Sequence, residues 1–114
     1  MKYFKIRHDR AKAPRYELVD LPENVHDWLE ACHKEIDCDC IETASTLLPP
    51  LVLILDESGK FKSDWRKKLN TPASILYGNP FDDIVGDVLI GKIAGEDIIG
   101  IDENDIFRLL KYLP

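Results

Sequence analysis

The feature that most constrains how this chain can fold is an uninterrupted run of five aliphatic residues, Leu51–Leu55. Two prolines precede the run, and the turn-forming segment Asp56–Gly59 follows it. A strand with one face in water alternates apolar and polar residues, whereas a strand covered on both faces reads as a continuous apolar run. The pattern therefore predicts a central strand that is buried on both faces and ends in a hairpin turn at Asp56–Gly59.

Shorter patterns predict the remaining strands. Lys2–Arg7 and Arg15–Leu21 each alternate in side-chain character, and a turn rich in Lys, Ala and Pro separates them, as in an antiparallel hairpin. Two further segments have the composition of strands, Cys38–Thr43 and Ile84–Ile93.

Helical spacing marks three segments. The clearest helix opens at Pro22 and has five residues on one apolar stripe: Val25, Trp28, Leu29, Cys32 and Ile36. Thr71–Pro72 predicts an N-cap and first residue of a short helix that Gly78 ends. Asp102 and Asp105 predict a capping pair for the final helix. Its inward stripe is predicted to be Ile106, Phe107, Leu110 and Leu113.

The whole chain of 114 residues has the size and composition of one globular domain, with 45% hydrophobic and 32% charged residues. We expect a single domain over residues 1–114 with an α+β fold: a small mixed or mainly antiparallel sheet, one main helix packed on it and one or two short helices. No apolar stretch reaches the 18 residues of a membrane span. The N-terminal segment lacks the apolar core of a secretory signal, and three cysteines favour a reducing compartment, so we expect a cytoplasmic protein.

The segment Gly86–Lys92 reads G-x-x-x-x-G-K, which is most of the signature of a phosphate-binding loop. Such a loop needs a permissive backbone and a Ser or Thr after the lysine to hold Mg²⁺. Here three of the four residues between the glycines favour a strand, and Ile93 follows the lysine. We therefore predict a buried strand and no nucleotide cofactor.

Cysteines and histidines are concentrated in one part of the chain: His26, Cys32, His33, Cys38 and Cys40. Their spacing fits no common zinc pattern, and two histidines seven residues apart on a helix are separated by about 10.5 Å along its axis. We interpret the group as core thiols and exposed imidazoles, and we predict no metal site and no cofactor.

Carboxylates are numerous in the C-terminal third of the chain: Asp82, Asp83, Asp87, Asp97, Asp102, Glu103 and Asp105. Such groups can assemble a hydrolytic or magnesium site, so a small metal-dependent enzyme is one alternative. Turn and cap positions explain several of them without catalysis. Since no local catalytic signature is present, we predict no catalytic residues and do not expect an enzyme.

The segment Lys60–Lys68 has the most distinctive composition of the chain. It holds five basic residues and one acidic residue, although the net charge of the whole chain is −6. Two aromatic residues are interleaved with these cations, which is typical of a binding patch. A partner-binding role is predicted for Phe61, Lys62, Trp65, Arg66 and Lys67. The alternative is a charged loop whose two aromatic side chains fold into the core.

Two pieces of the sequence resemble a known family. Leu53–Lys60 has an apolar strand followed by Asp-Glu, any residue, Gly and Lys. Asn70–Ala73 has Asn, two residues and Ala, and Asp83–Ile90 has Asp-x-Val-Gly-Asp before an apolar strand. Together they resemble the domain-of-unknown-function family numbered 3846, small proteins of bacteria and their phages. The resemblance implies a fold and a setting in a phage or mobile element, but no reaction.

The expected function is that of a non-enzymatic interaction protein, which binds a host or partner protein through an acidic face or through the 60–68 loop. A nucleic-acid-binding module that uses the same basic and aromatic loop is the alternative. The net negative charge disfavours it, because phosphates require a basic face.

Overall fold

The computed structural model describes the whole chain, Met1–Pro114. Six strands are present: β1 (Lys2–Ile6), β2 (Tyr16–Asp20), β3 (Ile41–Ser45), β4 (Leu51–Asp56), β5 (Val88–Ala94) and β6 (Asp97–Ile99). Three α-helices are present: α1 (Val25–Glu35), α2 (Thr71–Tyr77) and α3 (Glu103–Tyr112). Two short 3-10 turns lie between β4 and α2: Gly59–Phe61 and Trp65–Lys68.

All six strands form one sheet, and every neighbouring pair is antiparallel. The strand order is β2-β1-β5-β4-β3, and β6 pairs with β5 outside this sequence. Along one edge of β5, β1 pairs with the first half and β6 with the second half, while β4 occupies the other edge. The predicted α+β class with a mainly antiparallel sheet is confirmed.

Alternation of side chains along the strands gives the sheet two apolar faces. One face packs against α2 and α3, and the other packs against α1. In β4, Leu51, Leu53 and Leu55 belong to the first core and Ile54 belongs to the second. All six residues of β4 are buried, as predicted for a central strand.

Two strand boundaries and one turn differ from the sequence-based prediction. β4 does not end in a hairpin, because the chain passes through the two 3-10 turns and α2 before it returns as β5. β3 begins only at Ile41, after a turn in which Asp37 has left-handed backbone with a φ of 52°. β5 begins only at Val88, because Gly86, with a φ of 85°, interrupts the extended chain before it.

The predicted helices are present, but parts of their predicted apolar stripes lie in solvent. In α1, Val25 is 79% exposed and Leu29 is also exposed, whereas the later part of the stripe is buried. In α3, Phe107 and Leu110 are exposed, and Leu109 faces the core instead. The helical period was right, and Ile106 and Leu113 of the predicted stripe do pack in the core, whereas Phe107 and Leu110 were wrongly predicted to face it.

Local signals at the helix ends are largely confirmed for α2 and α3, whereas α1 begins at Val25, after the N-cap Asn24, and not at the predicted Pro22. Gly78 ends α2 with a φ of 79°, and Asp102 and Asp105 form a reciprocal capping box at the start of α3. The N-cap of α2 is Asn70, so Thr71 is the first helical residue and not the cap that the sequence suggested. No helix combines the length and the apolar character that crossing a bilayer would require.

Candidate binding surface

Loops from several parts of the chain meet at one end of the sheet, where β4 ends and β5 begins. The two largest are residues 57–69 and residues 79–87. An isolated antiparallel bridge between Leu69 and Val85 joins them. We call these two segments together the loop surface. The predicted partner-binding residues all lie in its first segment.

The side chain of Asn70 anchors the base of the loop surface. It is fully buried, and its Nδ2 donates hydrogen bonds to the carbonyl oxygens of Ile6 at 3.0 Å and Gly86 at 2.9 Å. Its Oδ1 accepts a hydrogen bond from the backbone N–H of Ala73 at 3.2 Å. One side chain therefore ties together the end of β1, the segment before β5 and the start of α2.

Two small clefts flank Asp56 at the end of β4. The inner cleft has a volume of about 170 Å³, and His8, Trp65 and Asp87 are among the residues that line it. The outer cleft has a volume of about 180 Å³ and includes Phe61 in its wall. Both are smaller than the roughly 300–1,000 Å³ of sites that enclose drug-sized ligands. Neither of these two clefts is therefore large enough to enclose a ligand of that size.

The carboxylate of Asp56 is buried between the clefts and is fully engaged by this chain. Its Oδ1 accepts a hydrogen bond from the backbone N–H of Ser58 at 2.9 Å, and its Oδ2 lies 2.8 Å from the Nζ of Lys62. The hydrogen bond to Asp56 is the main cause that raises the pKa of Lys62 above its usual value. Lys62, predicted as a partner-binding residue, therefore already has an internal partner for its charge.

The other residues of the 60–68 loop divide into engaged and free groups. Lys60 forms an ion pair with Asp82. Trp65 is half-buried, and the guanidinium carbon of Arg66 lies 5.1 Å from the centroid of its ring. Phe61 is 89% exposed, so the alternative in which both aromatics fold into the core is wrong for this residue. The basic residues of the loop without a carboxylate partner are Arg66, Lys67 and Lys68.

The structure adds one aromatic residue that the sequence analysis did not single out. Phe81 is 97% exposed, the highest value among the large hydrophobic side chains. The backbone N–H of Phe81 donates a hydrogen bond to the side-chain oxygen of Asn79 at 3.0 Å, and this bond holds Phe81 at the tip of the loop. Asp82, the residue after Phe81, forms an ion pair with Lys60, the residue before Phe61. The available sequence signal was an aromatic residue directly after the turn-forming pair Asn-Pro.

Most of the glycine-lysine segment is a strand, as predicted: residues 88–92 lie in β5, whereas Gly86 and Asp87 precede it. Gly91 lies within β5 beneath two side chains of the face that packs on α1. A Cβ at this position would lie 2.9 Å from both the Cε2 of Tyr3 and the Cγ2 of Ile98. Packing across the sheet therefore explains this glycine, and the backbone around it is extended.

The cysteine and histidine residues do not converge on one point. Cys32 is buried, Cys38 is half-buried and Cys40 is exposed. The prediction that Cys38 and Cys40 share a strand is wrong, because both precede β3. Only one group of three His, Cys, Asp or Glu side chains has its potential metal-ligand atoms within 4.8 Å of one another. It consists of exposed residues of α1: His26, Asp27 and Glu30.

We expect the three thiols to differ sharply in reactivity. Burial raises the pKa of Cys32 to about 12, and burial together with the Asp56 carboxylate raises the pKa of Cys38 to about 11. At pH 8 a thiol with a pKa of about 11 is only about 0.1% thiolate, which is the reactive form. Ellman's reagent at pH 8 should therefore modify one thiol of the native protein rapidly, that of Cys40, and all three in urea.

The matched variant Cys40→Ser should lose the rapid phase and keep two slow thiols. Rapid modification of two or more thiols in the native wild-type protein would contradict the placement of Cys32 and Cys38. These raised pKa values also make the native state less stable above about pH 9, because the unfolded thiols ionise first and the unfolded state then binds fewer protons.

Four of the seven carboxylates of the C-terminal third, those of Asp82, Asp87, Asp102 and Asp105, serve hydrogen bonds, caps or ion pairs at separate places. Asp102 and Asp105 both accept from the Nζ of Lys92, at 3.3 Å and 2.9 Å. The backbone N–H of Asp105 is the main cause that lowers the pKa of Asp102. Asp87 accepts a hydrogen bond from the backbone N–H of His8 at 2.9 Å. Of the seven carboxylates, Asp82 and Asp83 belong to the loop surface as well as Asp87.

Fold and surface together define a small α+β protein with a six-stranded antiparallel sheet, helices on both faces and exposed aromatic residues on the loops at one end. A family model described as Domain of unknown function (DUF3846) matches residues 1–113. The chain therefore belongs to that family, as its strand and turn motifs indicated. No curated protein and no solved structure matches the chain.

Proposed function

We propose that this protein is a non-enzymatic protein-binding domain of a phage or another mobile element, which acts in the bacterial cytoplasm. It binds a host or partner protein through the loop surface. The observation that carries the proposal is the pair of almost fully exposed phenylalanines, Phe61 at 89% and Phe81 at 97%, on neighbouring loops. Aromatic side chains are enriched at the centres of protein interfaces, where they contribute much of the binding energy.

Burial of these two rings would supply a large part of an interface's stability. Complete removal of a phenylalanine side chain from water is worth about 1.5–3 kcal/mol. The outer cleft between Phe61 and Tyr77 offers a recess in which six of the 13 lining residues are hydrophobic. A partner side chain that enters this recess would bury its own apolar area together with that of Phe61.

The loops are held in place before any partner binds, which lowers the entropic cost of association. The Lys60–Asp82 ion pair joins the two segments, and the bridge between Leu69 and Val85 joins their bases. The hydrogen bonds of Asn70 fix both segments to the sheet. A preorganised surface of this kind is typical of a binding module.

Charges around the aromatic pair are arranged asymmetrically. Glu42, Glu57 and Asp83 line the outer cleft and form no ion pair within the chain. Arg66 and Lys67 do not line this cleft and are also free of carboxylate partners. Unpaired charges at the rim of an interface favour one orientation of the partner and accelerate association.

The nucleic-acid alternative has less support from the same loop. Lys60 and Lys62 are neutralised by Asp82 and Asp56, which leaves few free cations for phosphates. Adjacent carboxylates of the outer cleft repel a phosphate backbone. The aromatic residues therefore support a protein partner better than a nucleic acid.

The experiment that tests the proposal is quantitative affinity capture from host cells with the wild-type chain and the double variant Phe61→Ser, Phe81→Ser. We expect a specific protein to be enriched by the wild type and its recovery to fall about tenfold or more with the double variant, since two apolar anchors are lost. Titration of the purified partner by calorimetry then measures the difference in affinity.

Phe107→Ser provides the matched control, because Phe107 is an exposed phenylalanine of α3 outside the loop surface, 61% exposed. This variant should capture the partner as the wild type does. Equal recovery with the double variant and the wild type, or equal loss with the control, would rule out the loop surface as the binding site. Far-UV circular dichroism checks that both variants are folded.

A further inference from the structure

A second groove lies at the opposite end of the sheet, between the β5–β6 hairpin and the start of α1. Its volume is about 530 Å³, the largest among the clefts described, and six of its ten lining residues are hydrophobic. Trp28 and Ile98 form part of its wall, and Val25, 79% exposed, lies at its rim. The loop surface does not take part in it.

One side of this groove is a free edge of the sheet. β6 pairs with β5 only, through the register Ala94↔Asp97, Ile93↔Ile98 and Lys92↔Ile99. A two-residue turn connects the strands, so Ala94 and Asp97 form the hydrogen-bonded pair that closes the hairpin. Hydrogen-bonded and non-hydrogen-bonded pairs alternate along an antiparallel ladder, so the backbone N–H and C=O of Ile98 point away from β5.

The rim of the groove is acidic. Glu23, Glu96 and Asp97 are exposed, and none of them forms an ion pair within the chain. No Lys, Arg or His lines the groove, and the ammonium of Met1, which does line it, donates to the carbonyl oxygen of Leu21 at 3.2 Å. The groove therefore combines an apolar floor, unpaired backbone groups and a net negative charge, with three carboxylates against the one ammonium of Met1.

We propose that this β6 groove binds an extended segment of a partner protein in which apolar residues alternate with Lys or Arg, added along the free edge of β6. Alternate side chains of an added strand point to opposite faces, so apolar residues enter the groove while basic residues reach the carboxylates. This interaction is independent of the proposed function of the loop surface, because the two surfaces lie at opposite ends of the sheet.

The negative charges disfavour two other binding partners for this edge, a second copy of the chain and a nucleic acid. Two copies of this chain paired through β6 would bring Glu96 and Asp97 of each copy close to those of the other, and like charges oppose that pairing. A nucleic acid would place phosphates against the same carboxylates. Because β6 has only three residues, its backbone hydrogen bonds would fix only the direction and register of the bound segment. The groove and the acidic rim would select the amino-acid sequence of that segment.

The first test compares two synthetic heptapeptides with blocked ends, one of alternating lysine and valine and one with glutamate in place of lysine. The variant Trp65→Phe leaves Trp28 as the only tryptophan of the chain, so its fluorescence reports on the groove. We expect the lysine peptide to change this fluorescence and to shift the Ile98 amide signal in ¹⁵N NMR spectra. The glutamate peptide should bind at least about tenfold more weakly.

The second test reverses the rim with Glu23→Lys, Glu96→Lys and Asp97→Lys together. This triple variant should lose the lysine peptide and prefer the glutamate peptide. A control with the same change in net charge outside the groove, Asp39→Lys, Glu42→Lys and Glu103→Lys, should keep most of the original preference. The comparison separates the local rim from the overall charge of the protein.

Ile98→Pro tests the role of the free edge of β6. The substitution removes the backbone N–H that points away from β5, and it breaks no hydrogen bond between β6 and β5. It should weaken the lysine peptide at least about tenfold in a protein that remains folded by circular dichroism. Equal binding of both peptides by the wild type, no binding of the lysine peptide at millimolar concentration, or NMR shifts confined to other surfaces would each overturn the proposal. The comparison of the two peptides with the wild-type protein, followed by NMR, does not depend on whether any variant folds.

Discussion

Replacement of Asn70 by alanine is expected to lower the free energy of unfolding by about 3–4 kcal/mol, because it leaves several buried backbone groups without a partner. The carbonyl oxygens of Ile6 and Gly86 lose their side-chain donor, and the N–H of Ala73 loses its cap. The side chain is fully buried, so water does not readily replace these hydrogen bonds. Urea unfolding followed by circular dichroism measures the change.

Asn79→Ala is the matched control for this prediction. The side chain of Asn79 also accepts a backbone hydrogen bond, from Phe81 at 3.0 Å, but at an exposed position. Water can solvate the group that is released, so the expected loss is below about 1 kcal/mol. If the free energy of unfolding of Asn70→Ala is also within about 1 kcal/mol of the wild-type value, Asn70 does not hold the loops to the sheet.

Leu53→Ala is expected to lower the free energy of unfolding by about 3–4 kcal/mol, through lost burial and the cavity that remains. Leu53 is completely buried in the middle of β4 and belongs to the core between the sheet and the helices α2 and α3. β4 pairs on both sides, with β3 and with β5, so the backbone around the cavity has little freedom to collapse. The same urea titration measures the effect.

The matched control is Leu18→Ala on the edge strand β2. Leu18 is 43% exposed, so its truncation removes less buried area and leaves no closed cavity. The expected loss is about 1 kcal/mol or less. Equal losses at Leu18 and Leu53 would contradict the assignment of β4 to the centre of the core.

The sequence predicted best those features that depend on residues close together in the chain. The left-handed glycine at Gly78 and the capping box of Asp102 and Asp105 were correctly identified, since each satisfies backbone groups within a few residues. The complete burial of β4 was equally accessible, because a continuous aliphatic run has no face suited to water. These local rules also distinguished the strand around Gly91 from a phosphate-binding loop.

Predictions failed where distant elements decide which side chains are covered. Val25 continues the apolar period of α1 but lies beyond the part of the helix that the sheet covers. In α3, Leu109 faces the core and Phe107 does not, because the helix docks in an orientation that its own sequence does not define. The same reason explains the missing hairpin after β4, whose neighbour β5 returns only after α2.

The loop surface shows the same division. The composition of residues 60–68 was sufficient to predict an unusual loop, and Phe61 is exposed there. Phe81 was not singled out, because its position beside the 60–68 loop depends on tertiary contacts between separate segments, such as the ion pair of Lys60 and Asp82. Neutralisation of Lys62 by Asp56 was also invisible in the sequence, so the loop has fewer free cations than its composition suggests.

The sequence by itself determined the strand at the centre, the end of α2 at Gly78, the capping box of α3 and the family to which the chain belongs. Turns, caps and side-chain periods act over a few residues, so their physical causes are contained in short segments. The tertiary structure alone decided the exposure of Phe81, the internal pairing of the loop cations and the acidic groove at the edge of β6. Each of these depends on residues far apart in the chain, which become neighbours only when the strands pair and the helices pack.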